Sequence, residues 1–126
     1  MSQDLKKSPL ATAQGLGSAK EGVSHWWMQR VTAVLMIPLA LFLVYSFVSL
    51  DNFDYATVNA WIANPWIAAA LLMFVVTMFY HSELGVQVVI EDYVHGKTKV
   101  ITLLLAKFLH ILLGIAAALA ILRIAL

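Results

Sequence analysis

The sequence contains no cysteine. Disulfides, thiolate zinc sites, cysteine-held iron–sulfur clusters and cysteine nucleophiles are therefore excluded together. Charge is also scarce. Lys, Arg, Asp and Glu make up 12% of the 126 residues, and 62% are hydrophobic; soluble domains carry about 25% charge. Such a composition excludes a disordered chain. The net charge is +1 and no Lys/Arg run exceeds two neighbours, so a nucleic-acid partner is excluded as well. No GxGxxG, GxxxxGK[ST] or HExxH pattern occurs, which removes the commonest nucleotide and zinc-protease fingerprints. What remains for metal or proton chemistry is four histidines, His25, His81, His95 and His110, besides methionine.

The few charges are unevenly placed. Residues 31–50, 55–80 and 108–122 carry none, and the last run extends back to about Val100 with only Lys107 inside it. A bilayer core takes about 20 apolar residues per helix. Three transmembrane helices are expected, at about 29–50, 64–90 and 99–124. The competing soluble arrangement, a bundle of three buried helices, would need a polar face at helical spacing; the first run, VTAVLMIPLALFLVYSFVSL, has none. The expected fold is all-α and integral to the membrane, with a segment 1–28 preceding an anchor domain 29–126.

Lysine placement gives the orientation. Lys6, Lys7, Lys20 and Arg30 precede or open the first span, and Lys97 and Lys99 lie between the second and third. The loop after the first span carries Asp51 and Asp54 and no basic residue. By the positive-inside rule the N-terminus and second loop are cytoplasmic and the C-terminus lies outside. Trp26 and Trp27 then suit the inner interface, and Trp61 and Trp66 the outer one. Residues 1–24 hold no apolar core of a secretory signal, Asp4 and Glu21 argue against a transit peptide, and Pro9, Gly15, Gly17 and Gly22 suggest irregular structure. Pro38 should kink the first helix mildly.

Ionisable groups at bilayer depth are costly and mark function by default. At ~1.5 Å per residue, His81 lies about 14 Å and Glu83 about 10 Å from the inner end of the second helix, and Lys107 about 12 Å and His110 about 16 Å into the third. Glu83 and Lys107 match in depth and are read as an intramembrane ion pair, since either charge alone is expensive; the alternative is that Lys107 snorkels to the headgroups. His81 sits about 200° round the helix from Glu83. It should therefore point away from the third helix, toward something outside the chain. Gly85, one turn on, removes a side chain beside the imidazole and leaves room for a flat macrocycle. A haem ligand, a proton relay or a histidine bonded to a neighbouring helix all fit such a position. His110 is read as packing against helix two or lipid-side neighbours. Glu91 and Asp92 oppose the macrodipole at a helix C-terminus, which calls for a basic partner or for proton delivery there; Tyr93 reads as an interfacial anchor.

His81-Ser-Glu-Leu-Gly85-Val-Gln-Val-Val-Ile-Glu-Asp92-Tyr93 resembles the H-x3-G-x6-D-Y signature of the small cytochrome b anchor subunits of succinate dehydrogenase (respiratory complex II), the D-type hydrophobic anchors. Gly15-Leu-Gly-Ser-Ala-Lys-Glu-Gly22 followed by His25-Trp-Trp-Met-Gln-Arg30-Val-Thr32-Ala is similar to that family's approach to its first helix. The resemblance spans nearly the whole chain and is strongest over 15–36 and 80–95. It implies half of a heterodimeric haem-binding bundle in a bacterial inner membrane. His81 would be one axial ligand of haem b, the second coming from the other cytochrome b anchor subunit. Gly85 would pack on the haem, Arg30 would lie near its propionates and the quinone, and His25 is a weaker neighbour. Tyr93 would donate a hydrogen bond to a ubiquinone carbonyl, supported by Asp92. Electrons would arrive from an iron–sulfur subunit fed by a flavoprotein subunit, so this chain serves an enzyme of the tricarboxylic acid cycle without being catalytic alone.

Bis-imidazole ligation suits electron transfer rather than oxygen binding. Three alternatives stand beside this reading: a haem-free structural anchor, a quinol:fumarate reductase anchor, and a small transporter using Glu83, Lys107 and His110 as a polar path.

Overall fold

In a computed structural model, residues 22–126 are described. The lysines and glycines of the preceding tail, and with them most of the expected 1–28 segment, lie outside the described residues. Four helices follow in order: α1 Gly22–Val48, α2 Tyr55–Ala63, α3 Pro65–Tyr93 and α4 Lys97–Ala125. Three of them, α1, α3 and α4, are long and apolar enough to cross a membrane. They correspond to the three expected spans, with longer ends. At ~1.5 Å per residue they measure about 40 to 43 Å, against a hydrocarbon core of about 30 Å. Each helix therefore continues into the headgroup layer, which explains why the chain is already helical from Gly22 onward, ahead of residue 29, and why α3 runs on to Tyr93. Hydropathy registers only the part of a helix that lies in hydrocarbon.

The short helix α2 was not expected. Its signals are local. Asp54 is the N-cap, and its side chain accepts a 2.7 Å hydrogen bond from the Thr57 amide, which relieves one of the orphan donors of a helix start. Asn64 ends α2 and at the same time caps α3, accepting from the Trp66 amide at 3.0 Å, with Pro65 in the first turn of α3. Proline there gives up only a donor that is orphaned anyway. Trp61 then pins α2 to the end of α1 by donating its indole N–H to Ser46 Oγ at 2.8 Å. The Thr57 amide holds the Asp54 carboxyl below its ordinary value of 3.8. A depressed carboxylate stabilises above its unfolded value and loses that contribution as pH falls through the folded one. Asp54→Ala at neutral pH, or acidification of the native chain, is therefore expected to fray α2. Faster amide hydrogen exchange at Thr57 and Val58 would register it; unchanged exchange would contradict the cap.

Helix α3 is central. Helices α1 and α4 both pack on it and barely meet each other. The three spans thus form an open layer rather than a closed bundle. Burial is correspondingly sparse: among the described residues only Leu43, Ile67, Ala68, Leu84 and Ile90 are buried apolar residues, and α4 has no buried residue at all. Most apolar surface faces outward, as lipid and partner helices require. The turn from α3 to α4 passes through Gly96 at φ 68°, a conformation that L side chains rarely adopt.

Candidate functional site

Because α3 has a neighbour on each side, its polar residues divide between two grooves. One lies between α3 and α4. Its cavity of about 340 Å³ is lined by Phe79, Glu83, Lys107, His110 and Gly114 among others. His110 donates from Nδ1 to the Ala106 carbonyl at 2.7 Å, and its Nε2 lies 3.1 Å from the Ser82 hydroxyl. A carbonyl can only accept, so the Nδ1 of this ring carries a proton. The ring also meets Phe79 edge-on, with centroids 6.4 Å apart, and Gly114 lets that phenyl approach α4. The reading of His110 as packed against the neighbouring spanning helix describes this geometry. Glu83 and Lys107 line the same groove, but no carboxylate lies within 4.0 Å of a Lys or Arg nitrogen among the described residues. The expected ion pair is not closed in the chain alone; Lys107 is exposed, as a side chain reaching toward headgroups would be.

The other groove lies between α1 and α3 and contains His81. The expectation that His81 points out of the chain is corrected here. Its Nδ1 lies 2.9 Å from Thr32 Oγ1 and its Nε2 lies 3.3 Å from the Gln29 amide nitrogen. The face of α3 opposite Glu83 meets α1, because α3 is the middle helix. His25, Gln29 and Thr32 fall at spacings of four and three, one face of α1, and form a polar stripe against α3. Sequence reasoning missed Gln29 and Thr32. The signal was that spacing, in side chains that are polar but, for Gln29 and Thr32, not ionisable.

Further toward the end of α3 this groove widens to a cavity of about 560 Å³ lined by His25, Met28, Leu84, Gln87 and Glu91 among others. His25 Nε2 and Gln29 Oε1 are buried without hydrogen-bond partners among the described residues. Unsatisfied buried polar atoms are rare in a finished fold. With the half-buried imidazole and the bare Gly85 one turn on, they fit a site that a further polar-edged group completes. The described residues contain no cluster of three or more His, Cys, Asp or Glu that could hold a metal ion unaided.

The remaining candidates stand apart from His81. Arg30 is exposed and lies over the Trp26 ring, 5.4 Å from its centroid. Asp92 and Tyr93 end α3 and are exposed, Tyr93 by 80%. Tyr93 is twelve residues, about 18 Å, along the helix from His81. A basic side chain does meet the end of α3, on its backbone and not on its carboxylates. Lys99 Nζ donates to the Glu91 carbonyl at 3.1 Å, and Gln87 donates to the Glu91 carboxylate at 2.8 Å. A lysine on the last carbonyls offsets the dipole, leaving Asp92 and Tyr93 free at the rim.

Comparison with known proteins bears on the same residues. The model of the succinate dehydrogenase/fumarate reductase transmembrane subunit family matches residues 4–122. The succinate dehydrogenase hydrophobic membrane anchor subunit of Rickettsia bellii is 36% identical over 111 residues, covering 88% of this chain and 89% of that one. That of Paracoccus denitrificans is 32% identical over 95 residues, 73% of this chain and 71% of its own. The succinate dehydrogenase membrane anchor subunit of Reclinomonas americana is 31% identical over 96 residues, 73% and 80% respectively. No solved structure matches.

Proposed function

The chain belongs to the succinate dehydrogenase/fumarate reductase transmembrane subunit family, as a membrane anchor of that enzyme, and from that premise we propose that it supplies one axial ligand of a haem b and part of a ubiquinone-reduction site. The observation that carries the reading is His81, a part-buried imidazole on the central helix with Gly85 one turn away. Haem, when bound, supplies an electron-storing centre suited by its two imidazoles to transfer rather than oxygen chemistry. This chain's residues do the rest. His81 ligates, and Thr32 and Gln29 surround its ring. Tyr93 donates its phenolic O–H to a quinone carbonyl at the membrane rim. Asp92 supports Tyr93 there and, with Glu91, lies where two protons must accompany the two electrons that convert quinone to quinol. Arg30, always charged, is available to carboxylates brought by the cofactor. The electrons come from an iron–sulfur partner fed by a flavoprotein, because a chain without cysteine cannot hold such clusters. The second haem ligand comes from a second anchor subunit. The membrane is the bacterial inner membrane, with the α3–α4 turn and its Lys97 and Lys99 cytoplasmic and the C-terminus periplasmic.

A specific observation favours a second reading. Both ring nitrogens of His81 already meet α1 side chains, as in a haem-free anchor whose histidine merely ties two helices. Purifying the complex with and without the second anchor subunit separates the two. A b-type band in the reduced-minus-oxidised spectrum only when both anchors are present is expected. A fully assembled complex with no such band would leave the haem-free anchor standing.

Gly85 provides a finer test. A Cβ at position 85 would lie 3.6 Å from Gln29 Nε2, an ordinary contact, and alanine favours helix over glycine by about 1 kcal/mol. The chain itself therefore tolerates Gly85→Ala. If the macrocycle packs on that bare backbone, the variant assembles normally but holds less haem per flavin. A full haem complement would remove Gly85 from the cofactor surface.

A further inference from the structure

The bonds around Thr32 carry more than helix packing. Thr32 is only 6% exposed, so its hydroxyl is shut off from water. Its Oγ1 lies 2.7 Å from the Met28 carbonyl and 3.1 Å from the Gln29 carbonyl. Both are acceptors only, and the hydroxyl has a single proton. That proton goes back to the helix, in the four-residue return bond that threonine makes within helices. The third neighbour of the oxygen, His81 Nδ1 at 2.9 Å, must then be the donor. An imidazole that carries its proton on Nδ1 presents a lone pair at Nε2. The other contact agrees, since what faces Nε2 is the amide nitrogen of Gln29, a donor, at 3.3 Å. Meanwhile Gln29 Oε1 is buried with no partner, so this carboxamide is only half satisfied where it covers Nε2.

We infer that Thr32 is a positioning residue for His81. Its backbone-committed hydroxyl accepts the Nδ1 proton, sets the tautomer in which Nε2 is the free ligating nitrogen, and fixes the ring against α1. The inference rests on the proposal that His81 ligates haem, and it adds a residue of the first helix to that site. Metal-bound imidazoles take their orientation and basicity from the partner of the other ring nitrogen. An oxygen that accepts from Nδ1–H makes the imidazole a stronger donor to iron and favours the oxidised state. Removing that acceptor should therefore raise the haem potential.

The test uses the whole complex, with all subunits co-expressed, carrying Thr32→Val, Thr32→Ser or His81→Leu. Valine keeps the shape at position 32 and deletes the acceptor; serine restores it. Haem content is read from difference spectra, the midpoint potential from a redox titration, and ligand orientation from the electron paramagnetic resonance g-values of the oxidised haem. The expected result is a haem-containing Thr32→Val complex with an upward shift in potential and altered g-values, both returned toward wild type by Thr32→Ser. A merely structural threonine would change melting and leave potential and g-values alone. Should Thr32→Val lose haem altogether, recovery in Thr32→Ser supports the assignment and failure to recover overturns it. Wild-type potential and g-values in Thr32→Val, with haem lost from His81→Leu, overturn the role of Thr32 while His81 remains the ligand. Haem retained in His81→Leu overturns the ligand reading itself, and the inference with it.

Discussion

Leucine at position 81 is expected to abolish the b-type absorption band of the assembled complex. The reason is coordination first. On the proposed ligation, a haem would lose the ligand that His81 supplies, and an aliphatic side chain offers nothing to iron. The second reason lies within the chain. Thr32 Oγ1 keeps its backbone carbonyls but loses the ring nitrogen it faces, and Gln29 Nε2 loses its contact with the ring; a buried polar group left unpaired costs about 1–3 kcal/mol. The α1–α3 contact weakens along with the cofactor, so assembly should be followed in parallel, by the ratio of flavin to anchor subunit in the purified membrane fraction. Oxidation of succinate with a soluble artificial acceptor should persist in whatever complex assembles, because the proposed function assigns flavin and iron–sulfur chemistry to other subunits. A reduced-minus-oxidised band of wild-type height in His81→Leu would contradict ligation outright.

How much of this could be read from the residues alone depends on the range of the interaction. The three spans were legible because uncharged runs at 31–50, 55–80 and 108–122 reflect a solvent that punishes every charge. Their ends were less so. The polar stretch from Gly22 to Arg30 is helical because the helix continues past the hydrocarbon, where composition no longer betrays it. Helix α2 escaped notice for a different reason. It has nine residues, too few to show a period, and its evidence consists of two caps, Asp54 and Asn64, each a single residue. The order of packing was invisible as well. Nothing in the runs says that the second span lies between the first and third, and that order alone turns His81 toward α1.

The site divides in the same way. His81 and Gly85 were found because they share one helix and a spacing of four. Thr32 and Gln29 approach His81 across 49 and 52 positions of sequence, and such contacts follow from tertiary packing that no local pattern encodes. Lys99 reaching back to the Glu91 carbonyl is intermediate, a contact across one tight turn. It offsets the helix dipole at the end where two acids stand, with a cation eight residues on. Arg30 and Tyr93 are legible only through resemblance. In the structure they are exposed, and the role proposed for each requires a surface that other molecules provide. The two buried orphan atoms, His25 Nε2 and Gln29 Oε1, state the same incompleteness from inside the chain.

Tyr93→Phe is expected to lower succinate–quinone reductase activity by roughly ten-fold or more, while succinate oxidation by a soluble acceptor and haem content remain at wild-type levels. The substitution removes one oxygen from a side chain that is 80% exposed at the end of α3. It deletes no packing within the chain, so stability should hardly change; surface substitutions usually stay within about 0.5 kcal/mol. What it deletes is a donor. A quinone carbonyl gains negative charge as it accepts electrons, and a phenolic O–H aimed at it strengthens as the charge develops. A hydrogen bond to a charged group contributes about 1.5–3 kcal/mol, and each 1.36 kcal/mol is a factor of ten in rate, so the loss should be at least of that order if the bond forms in the rate-limiting step. The split between the two assays carries the diagnosis. Equal losses in both would point to faulty assembly, and equal activity in both would remove Tyr93 from the quinone site. Asp92→Asn offers an internal comparison. It keeps the phenol and removes a neighbouring carboxylate, so an effect confined to quinone reduction and smaller than that of Tyr93→Phe would place the aspartate behind the tyrosine rather than on the substrate.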